Sequence, residues 1–130
     1  MTAPATHLQT ESRLVGTPLE LRPGYARCRL TTRDEMVVDA AGLVHGGFTF
    51  GLADYAAMLA VNDPNVVLGA AETRFLAPVR KGEVLLAEAQ IRTTKGRKRV
   101  VDVVVRVGAR EVLRGRFDTF VLDRHVLSGR

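Results

Sequence analysis

Apolar residues are concentrated in one continuous segment of the chain, and elsewhere they alternate with polar residues. From Gly46 to Val61 nearly every position is apolar and most residues favour helices, and Pro64 follows closely as a helix stop. The segment therefore predicts a helix over 46–61 that is buried on most of its faces. Such a helix is about 24 Å long, and the glycines at its start and Asp54 in its middle argue against a membrane span. We expect it to lie inside the protein.

Alternating segments predict strands before and after this helix. Residues 83–94 are the clearest case, because their apolar and polar side chains alternate. The connections at Gly96 and Gly108 are short enough for antiparallel hairpins. The predicted strand segments are 24–30, 65–79, 83–94, 99–107 and 111–123. One strand, a long helix and then a run of antiparallel strands predict an α+β fold in which a sheet wraps the helix.

The length of 130 residues fits a single domain with a sizeable core. Residues 1–13 lack periodicity and contain mostly small and polar residues, so we predict a flexible tail there and one domain over 14–130. The tail has neither a basic start nor an apolar run typical of a signal peptide, which makes the cytoplasm the default location. Cys28 is the only cysteine and no histidine cluster accompanies it, so we expect neither an internal disulfide nor a metal site.

The chain is basic, with a formal net charge of +5 and a pI of about 10.1. Such a balance favours anionic partners, which include nucleic acid, an acidic membrane surface and a phosphate-bearing small molecule. The basic residues often occupy every second position, as on the solvent side of strands, and the densest cluster, 95–99, has no aromatic residue for base stacking. The sequence has no zinc-finger spacing and no convincing helix-turn-helix pair. We therefore expect a small-molecule ligand, with no nucleic acid and no membrane as partner.

Two glycines stand where the predicted helix begins. The first N–H groups of a helix have no partner within it, and Gly46 and Gly47 carry no side chain that would keep another molecule away. A carbonyl group placed there would gain hydrogen bonds as its oxygen becomes anionic during attack, as in an oxyanion hole. The alternative interpretation is that the glycines only permit a tight turn before the helix.

One carboxylate, Asp54, lies inside the apolar helix, and no other occurs between Asp39 and Asp63. A charge in such a place is costly unless it is paired or used. Facing a cleft, it can hold a water molecule as general base or attack an acyl carbon itself. The alternative is an aspartate that accepts backbone hydrogen bonds or meets an arginine across a dimer.

The segment 45–54, HGGFTFGLAD, joins these glycines to Asp54 at a fixed spacing, and the segments RFLAPVRKGE and TTKGRKRV follow later. In these features the chain resembles the hotdog fold, and within it the thioesterases similar to the phenylacetate-pathway enzyme PaaI. The likeness covers about 24–123. It implies a long central helix wrapped by a curved antiparallel sheet of five to six strands. It also implies an acyl-CoA thioesterase that hydrolyses its substrate to a free acid and CoA and needs no further cofactor.

The resemblance also implies roles for single residues. Asp54 is the catalytic carboxylate, and it meets a carbonyl bound at the His45-Gly46-Gly47 triplet of the partner subunit. His45 mainly holds its loop in shape. Asp39 departs from related thioesterases, which often carry asparagine at that position. An acid there either places a second carboxylate near the site and raises a pKa, or marks a subfamily with a different acyl preference or catalytic residue.

The phosphates of CoA need cationic or N–H donors, which the basic residues near the turns can supply. Candidate contacts are Arg74, Arg80, Lys81, Arg97 and Lys98. A single sheet with one helix leaves an edge strand and an apolar surface, so we predict a homodimer that can assemble further into a homotetramer. Two alternatives stay open: a non-catalytic acyl-CoA binding module of the hotdog type, and acyl carrier protein in place of CoA. A hotdog dehydratase would show a different pattern of His paired with Asp or Glu.

Overall fold

The computed structural model describes residues 2–128, which form a six-stranded antiparallel sheet around one long helix. The helices and strands are, in chain order, α1 (Ser12–Val15), β1 (Thr17–Arg22), β2 (Tyr25–Thr31), a 3-10 turn (Asp34–Met36), α2 (Gly46–Val61), β3 (Val66–Phe75), β4 (Val84–Lys95), β5 (Lys98–Val107) and β6 (Arg110–Val121). The predicted α+β class is therefore confirmed, and so are the bounds of the long helix. The sequence prediction missed β1 and the short helix α1.

The strands lie in the order β1-β2-β4-β5-β6-β3. The hairpins predicted at Gly96 and Gly108 join β4 to β5 and β5 to β6. Strand β3 pairs with β6 along its whole length instead of with β4, so the turn at 79–83 connects strands that are not neighbours. This order leaves β3 as a free edge of the sheet, and it places that edge beside the start of α2.

Strand β1 escaped prediction because its sequence, TPLELR, alternates weakly and contains a proline. Pairing with β2 is interrupted by an irregularity between Pro18 and Glu20, where the register shifts. Proline cannot donate to a ladder, and it is tolerated here because β1 is the other edge strand of the sheet.

The core lies between α2 and the inner face of the sheet. Alternate valines of β5, Val101, Val103 and Val105, are fully buried against it, together with Phe117 of β6. Many buried residues of α2 are alanines, which let the helix approach the sheet closely. Each large side chain removed from water contributes about 1.5–3 kcal/mol, so this packing fixes the position of the helix. No helix within residues 2–128 is long and apolar enough to cross a membrane.

The segment predicted as a flexible tail lies against the end of α2 in its described part, residues 2–13. Thr6 is buried, and the side chain of Asn62 binds the backbone of Ala3 and Ala5. The predicted boundary between residues 13 and 14 falls inside α1. The flexibility of the segment and the domain division stay predictions, and residues 1 and 129–130 of the two predicted units lie outside the described residues.

Candidate active site

The start of α2 is held in place by its preceding loop. The His45 N–H donates to the Met36 carbonyl at 2.9 Å, and the Val44 N–H donates to the Val79 carbonyl at 2.9 Å. His45 is the N-cap residue, but its side chain makes no capping hydrogen bond. The amides of Gly46 and Gly47 donate to no group among residues 2–128, so the fixed helix start presents two open N–H donors.

A side chain at either glycine would press against a neighbouring ring. A Cβ on Gly47 would lie 2.7 Å from Nε2 of His45, and one on Gly46 would lie 3.2 Å from the ring of Phe75. The His45 imidazole thus lies over Gly47, and it packs edge-on against Phe48 with ring centroids 6.0 Å apart. These contacts suit His45 to shape the loop at the start of α2.

Asp54 lies on the same side of α2 as Gly47, two turns further along. Its Oδ1 atom is buried and has no hydrogen-bond partner among the described residues. Burial raises the pKa of this carboxyl group to about 6. Within residues 2–128 neither a backbone donor nor an arginine pairs with it, and a carboxyl group perturbed by burial alone is a candidate functional group.

A cavity of about 290 Å³ opens beside the first turn of α2. Its walls are apolar apart from Thr49, and they comprise Gly46, Thr49, Phe75, Leu76, Ala77, Pro78, Val79 and Val112. Phe75 and Leu76, at and just after the end of β3, are 55% and 49% exposed, so the apolar surface continues outward from the cavity. Sequence reasoning missed Thr49, although the only aliphatic hydroxyl in an apolar helix, one turn after Gly46, was a signal that could have identified it.

The predicted second carboxylate, Asp39, lies in the exposed loop before α2. Its Oδ1 accepts hydrogen bonds from the N–H groups of Ala41, at 3.0 Å, and Leu43, at 3.1 Å. This pattern closes a turn, which is a common role of aspartate in loops. One oxygen of Asp39 therefore stabilises the loop that carries His45.

The five predicted CoA contacts do not cluster on one chain. Lys81 pairs with Asp34 at 3.3 Å, Lys98 approaches Asp118 at 3.9 Å, and Arg97 pairs with Asp123. Within residues 2–128, Arg74 and Arg80 make no ion pair.

Their positions along the sheet separate these residues further. The Arg80 segment adjoins the loop before α2 through a bridge to Leu43. Lys98 lies opposite Phe120, which lies opposite Val67 near the start of β3. That position is about 26 Å along the strand from Phe75. Arg74, Arg80 and Lys81 are thus the candidates near the helix start of the same chain, and Lys81 among them is paired with Asp34.

The family of the chain follows from its match to a family model described as "Thioesterase superfamily", over residues 41–113. The match covers more than half of the chain and includes the helix start, Asp54 and the cavity wall. The chain therefore belongs to the thioesterase superfamily, and the hotdog fold inferred from the resemblance is confirmed.

Two curated relatives show how such a chain occurs in larger proteins. The chain is 45% identical over 119 residues to methylthioribose-1-phosphate isomerase of Aquifex aeolicus, covering 91% of the chain but 26% of the relative. It is 29% identical over 97 residues to transcription factor FapR of Caldanaerobacter subterraneus, covering 75% of the chain and 48% of the relative. The chain thus spans at most about half the length of these relatives.

Two solved structures resemble the whole chain. The uncharacterized protein PH1136 from Pyrococcus horikoshii is 54% identical with a TM-score of 0.96, and the alignment covers 97% of each chain. The PaaI protein from the phenylacetic acid degradation operon of E. coli is 26% identical with a TM-score of 0.78, covering 86% of this chain and 83% of that one. The predicted resemblance to PaaI-like thioesterases is confirmed.

Proposed function

We propose that the protein hydrolyses acyl-CoA thioesters to a free acid and CoA, in a site that two copies of the chain build together. The observation that carries this proposal is the buried Oδ1 of Asp54, which has no partner within residues 2–128 and lies on the same side of the helix as the open amides of Gly46 and Gly47. A hydrolase needs donors for a developing oxyanion and a base or nucleophile near the carbonyl carbon, and these groups supply both.

In the reaction, the thioester carbonyl oxygen accepts hydrogen bonds from the amides of Gly46 and Gly47. Asp54 takes a proton from water, which attacks the carbonyl carbon, or the carboxylate attacks that carbon itself. The C–S bond then breaks. In the first route the CoA sulfur takes the proton that Asp54 removed from water; in the second route water cleaves the anhydride between the acyl group and Asp54, which releases the free acid and supplies the proton for the sulfur. A carboxyl pKa of about 6 leaves the group ionised at neutral pH and basic enough to accept the proton.

The two groups cannot serve one carbonyl from a single chain. Gly47 and Asp54 are seven residues apart on α2, which separates them by about 10 Å along the helix axis. A second copy with its helix antiparallel to the first brings Asp54 of the partner subunit to the open amides. Strand β3 suits such pairing, because it is an edge strand and its middle residues, Gly69 to Ala71, are small and exposed. Arg74 and Arg80 near the cleft would then contact CoA phosphates.

The decisive test replaces the Asp54 carboxylate by an amide and compares this variant with one in which a second aspartate of the same chain is replaced in the same way. Thiol release would be measured for the native protein, Asp54→Asn and Asp63→Asn on short, medium, long and aromatic acyl-CoA thioesters. Asp63 accepts a hydrogen bond from the Asn65 N–H at the other end of the helix, an interaction that asparagine retains. We expect turnover to fall by at least about 10³-fold in Asp54→Asn and to persist in Asp63→Asn.

The shared site has its own test by complementation. Asp54→Asn and Gly47→Ala each damage both sites of a homodimer, but a mixed dimer keeps one site with both groups native. After unfolding and refolding an equal mixture, about a quarter of native activity should return, since about half of the dimers are mixed and one site in each is intact. A mixture as inactive as its components, or a native protein that sediments as an active monomer, would contradict the shared site.

A second candidate is an acyl-CoA binding module without turnover, and the similarity to transcription factor FapR favours it. The same panel separates the two functions. Tight acyl-CoA binding in the native protein and in Asp54→Asn, with no thiol released by either, would make the domain a binding module and return Asp54 to a structural role.

A further inference from the structure

The hydroxyl group of Thr49 opens onto the cavity beside the first turn of α2. Thr49 is 2% exposed, and no group among residues 2–128 pairs with its side chain. Threonine within a helix can satisfy its hydroxyl on the carbonyl four residues earlier. Here the His45 carbonyl accepts the N–H of Phe48 at 3.1 Å, and the Thr49 hydroxyl forms no hydrogen bond to it. Polar groups in proteins are ordinarily paired with protein or with water, so this hydroxyl is available to water or to a ligand in the cavity.

The position of Thr49 places this hydroxyl beside the open amides. Thr49 follows Gly46 by three residues, so the two lie on one side of α2 about 5–6 Å apart. Side chains on a helix lean toward its N-terminus, which directs the hydroxyl toward the first turn. The other walls of the cavity are apolar, so Thr49 contributes its only polar side chain.

The size of the cavity limits what can enter it. At about 290 Å³ it has about twice the volume of an engineered apolar cavity of ~150 Å³ that binds benzene. A short or medium acyl group, or a single aromatic ring, fits this space. A long saturated chain would extend beyond it.

From these observations we infer that the cavity beside Gly46 takes the acyl group, and that Thr49 selects acyl groups with a hydroxyl or keto oxygen close to the thioester carbonyl. The inference rests on the proposed thioesterase activity and deepens it. Entry of an acyl group expels water from the cavity. An alkyl chain then leaves the Thr49 hydroxyl unpaired, whereas an oxygen substituent within about 5 Å of the carbonyl oxygen pairs with it. A site that hydrogen-bonds a substrate oxygen discriminates against a substrate without that oxygen more strongly than an apolar pocket does, because the polar group of the site is then left unpaired.

The test compares two thioesters that differ in one oxygen, butyryl-CoA and 3-hydroxybutyryl-CoA. Their kcat/KM would be measured for the native protein, for Thr49→Val, which removes the hydroxyl at nearly constant volume, and for Thr49→Ser, which keeps it. We expect the native protein and Thr49→Ser to prefer the hydroxylated substrate by about tenfold or more. In Thr49→Val the preference should fall to about one, while turnover of butyryl-CoA is retained or raised.

Other results would overturn the inference without ambiguity. An equal preference in the native protein and Thr49→Val would mean that Thr49 does not contact the substituent. An equal loss on both substrates would mean that the hydroxyl acts on the thioester carbonyl itself. If the native protein released no thiol from any thioester, the proposed activity would fail, and calorimetric affinities of the two thioesters would still decide the inference. The inference would then be contradicted if the native protein and Thr49→Val showed the same ratio of affinities for the two thioesters.

Discussion

The two ends of α2 differ in how their polar groups are satisfied. At the C-terminal end, Asn62 adopts the left-handed conformation with φ of 54°, and its N–H donates to the Met58 carbonyl at 2.7 Å. Its side-chain Oδ1 accepts the Ala5 N–H at 2.7 Å, and its Nδ2 donates to the Ala3 carbonyl at 3.0 Å. The N-terminal end has open glycine amides and no side-chain cap. One end is therefore closed by the protein itself, and the other is left open.

This difference separates stability from function along one helix. A capping side chain contributes about 1 kcal/mol, so the open end forgoes stabilisation that Ser, Thr or Asp at position 45 would supply. The unpaired groups Gly46, Gly47, Thr49 and Asp54 all belong to the first half of α2 or its middle. Substitutions toward the start of the helix should therefore change activity, and those at its end should change stability.

Among substitutions of the glycines and arginines around the open end, Gly47→Ala should lower activity most. The added methyl group would displace the His45 ring, whose Nε2 lies 2.7 Å from its position, and would obstruct approach to the amides. We expect kcat/KM to fall by about 10²-fold or more, because a carbonyl kept away from the Gly47 amide loses the stabilisation of one oxyanion donor, which is worth about that much. Thermal stability should hold or rise, since alanine favours a helix over glycine by up to about 1 kcal/mol.

Gly51→Ala is the matched control for the change in helix propensity, because a Cβ there meets nothing within 4 Å in its own chain. Equal melting temperatures for the two variants, with activity lost only in Gly47→Ala, would support the open end as the reactive one. If Gly47→Ala unfolded at a much lower temperature than Gly51→Ala, the glycine would be a structural requirement of the turn.

Stability should depend on pH through Asp54. Burial raises its pKa from 3.8 to about 6, so the folded protein holds the proton more tightly than the unfolded chain does. Stability from this group is therefore greatest below about pH 4 and is lost as pH rises through about 6. The ionised group costs up to about 3 kcal/mol at pH 7, and Asp54→Asn should be more stable than the native protein there by about that amount.

Urea unfolding of both proteins at pH 4 and pH 7.5 checks the sign of this effect. The advantage of Asp54→Asn should shrink toward zero at pH 4, while native turnover should increase as pH rises through about 6 because the ionised carboxylate is the active form. An advantage of the variant that is the same at both pH values would show that the carboxyl group does not titrate in this range.

At the closed end, Asn62→Ala should destabilise the fold and leave the site intact. The variant loses two hydrogen bonds to the N-terminal segment and places a Cβ in the left-handed region, which together cost about 2–3 kcal/mol. Asn62→Gly loses the same bonds but fits the backbone, so its loss should be about 1 kcal/mol smaller. Urea unfolding measures both, and kcat/KM of the folded variants should equal the native value. Reduced kcat/KM in both would show that the N-terminal segment reaches the site.

The sequence supported the prediction of the helix and its acid, because these depend on local signals. Continuous apolar residues and Pro64 define α2, and a single charge among apolar residues marks Asp54. The prediction also identified most strands, yet it could not place β3 beside β6, since the partner of a strand depends on contacts distant in sequence. Strand β1 was missed because Pro18 and a weak alternation obscure an edge strand.

Within the site, the residues that depend on tertiary contacts were the ones not predicted. The cavity combines the first turn of α2, the segment after β3 and Val112 of β6, and no sequence spacing reveals that these meet. The expected second carboxylate near the site, Asp39, stays a prediction; its Oδ1 accepts hydrogen bonds within its own loop, which no residue pattern distinguished beforehand. The candidate CoA contacts were chosen by their charge and by their position near turns, and neither property reports which end of the sheet a residue occupies.

The smallest effect concerns recognition of CoA near the open end. Arg80 is exposed, makes no ion pair within residues 2–128, and lies next to the loop before α2. We expect Arg80→Ala to raise KM a few-fold with kcat unchanged, since an exposed charge contributes about 1 kcal/mol or less. Arg29→Ala is the control, because Arg29 is also exposed and without an ion pair but lies on β2, four strands from β3. The difference between the two variants should shrink at high salt, as screening weakens the contact with phosphate. An equal KM for both variants at low salt would show that the net charge of the protein, and not Arg80, attracts CoA.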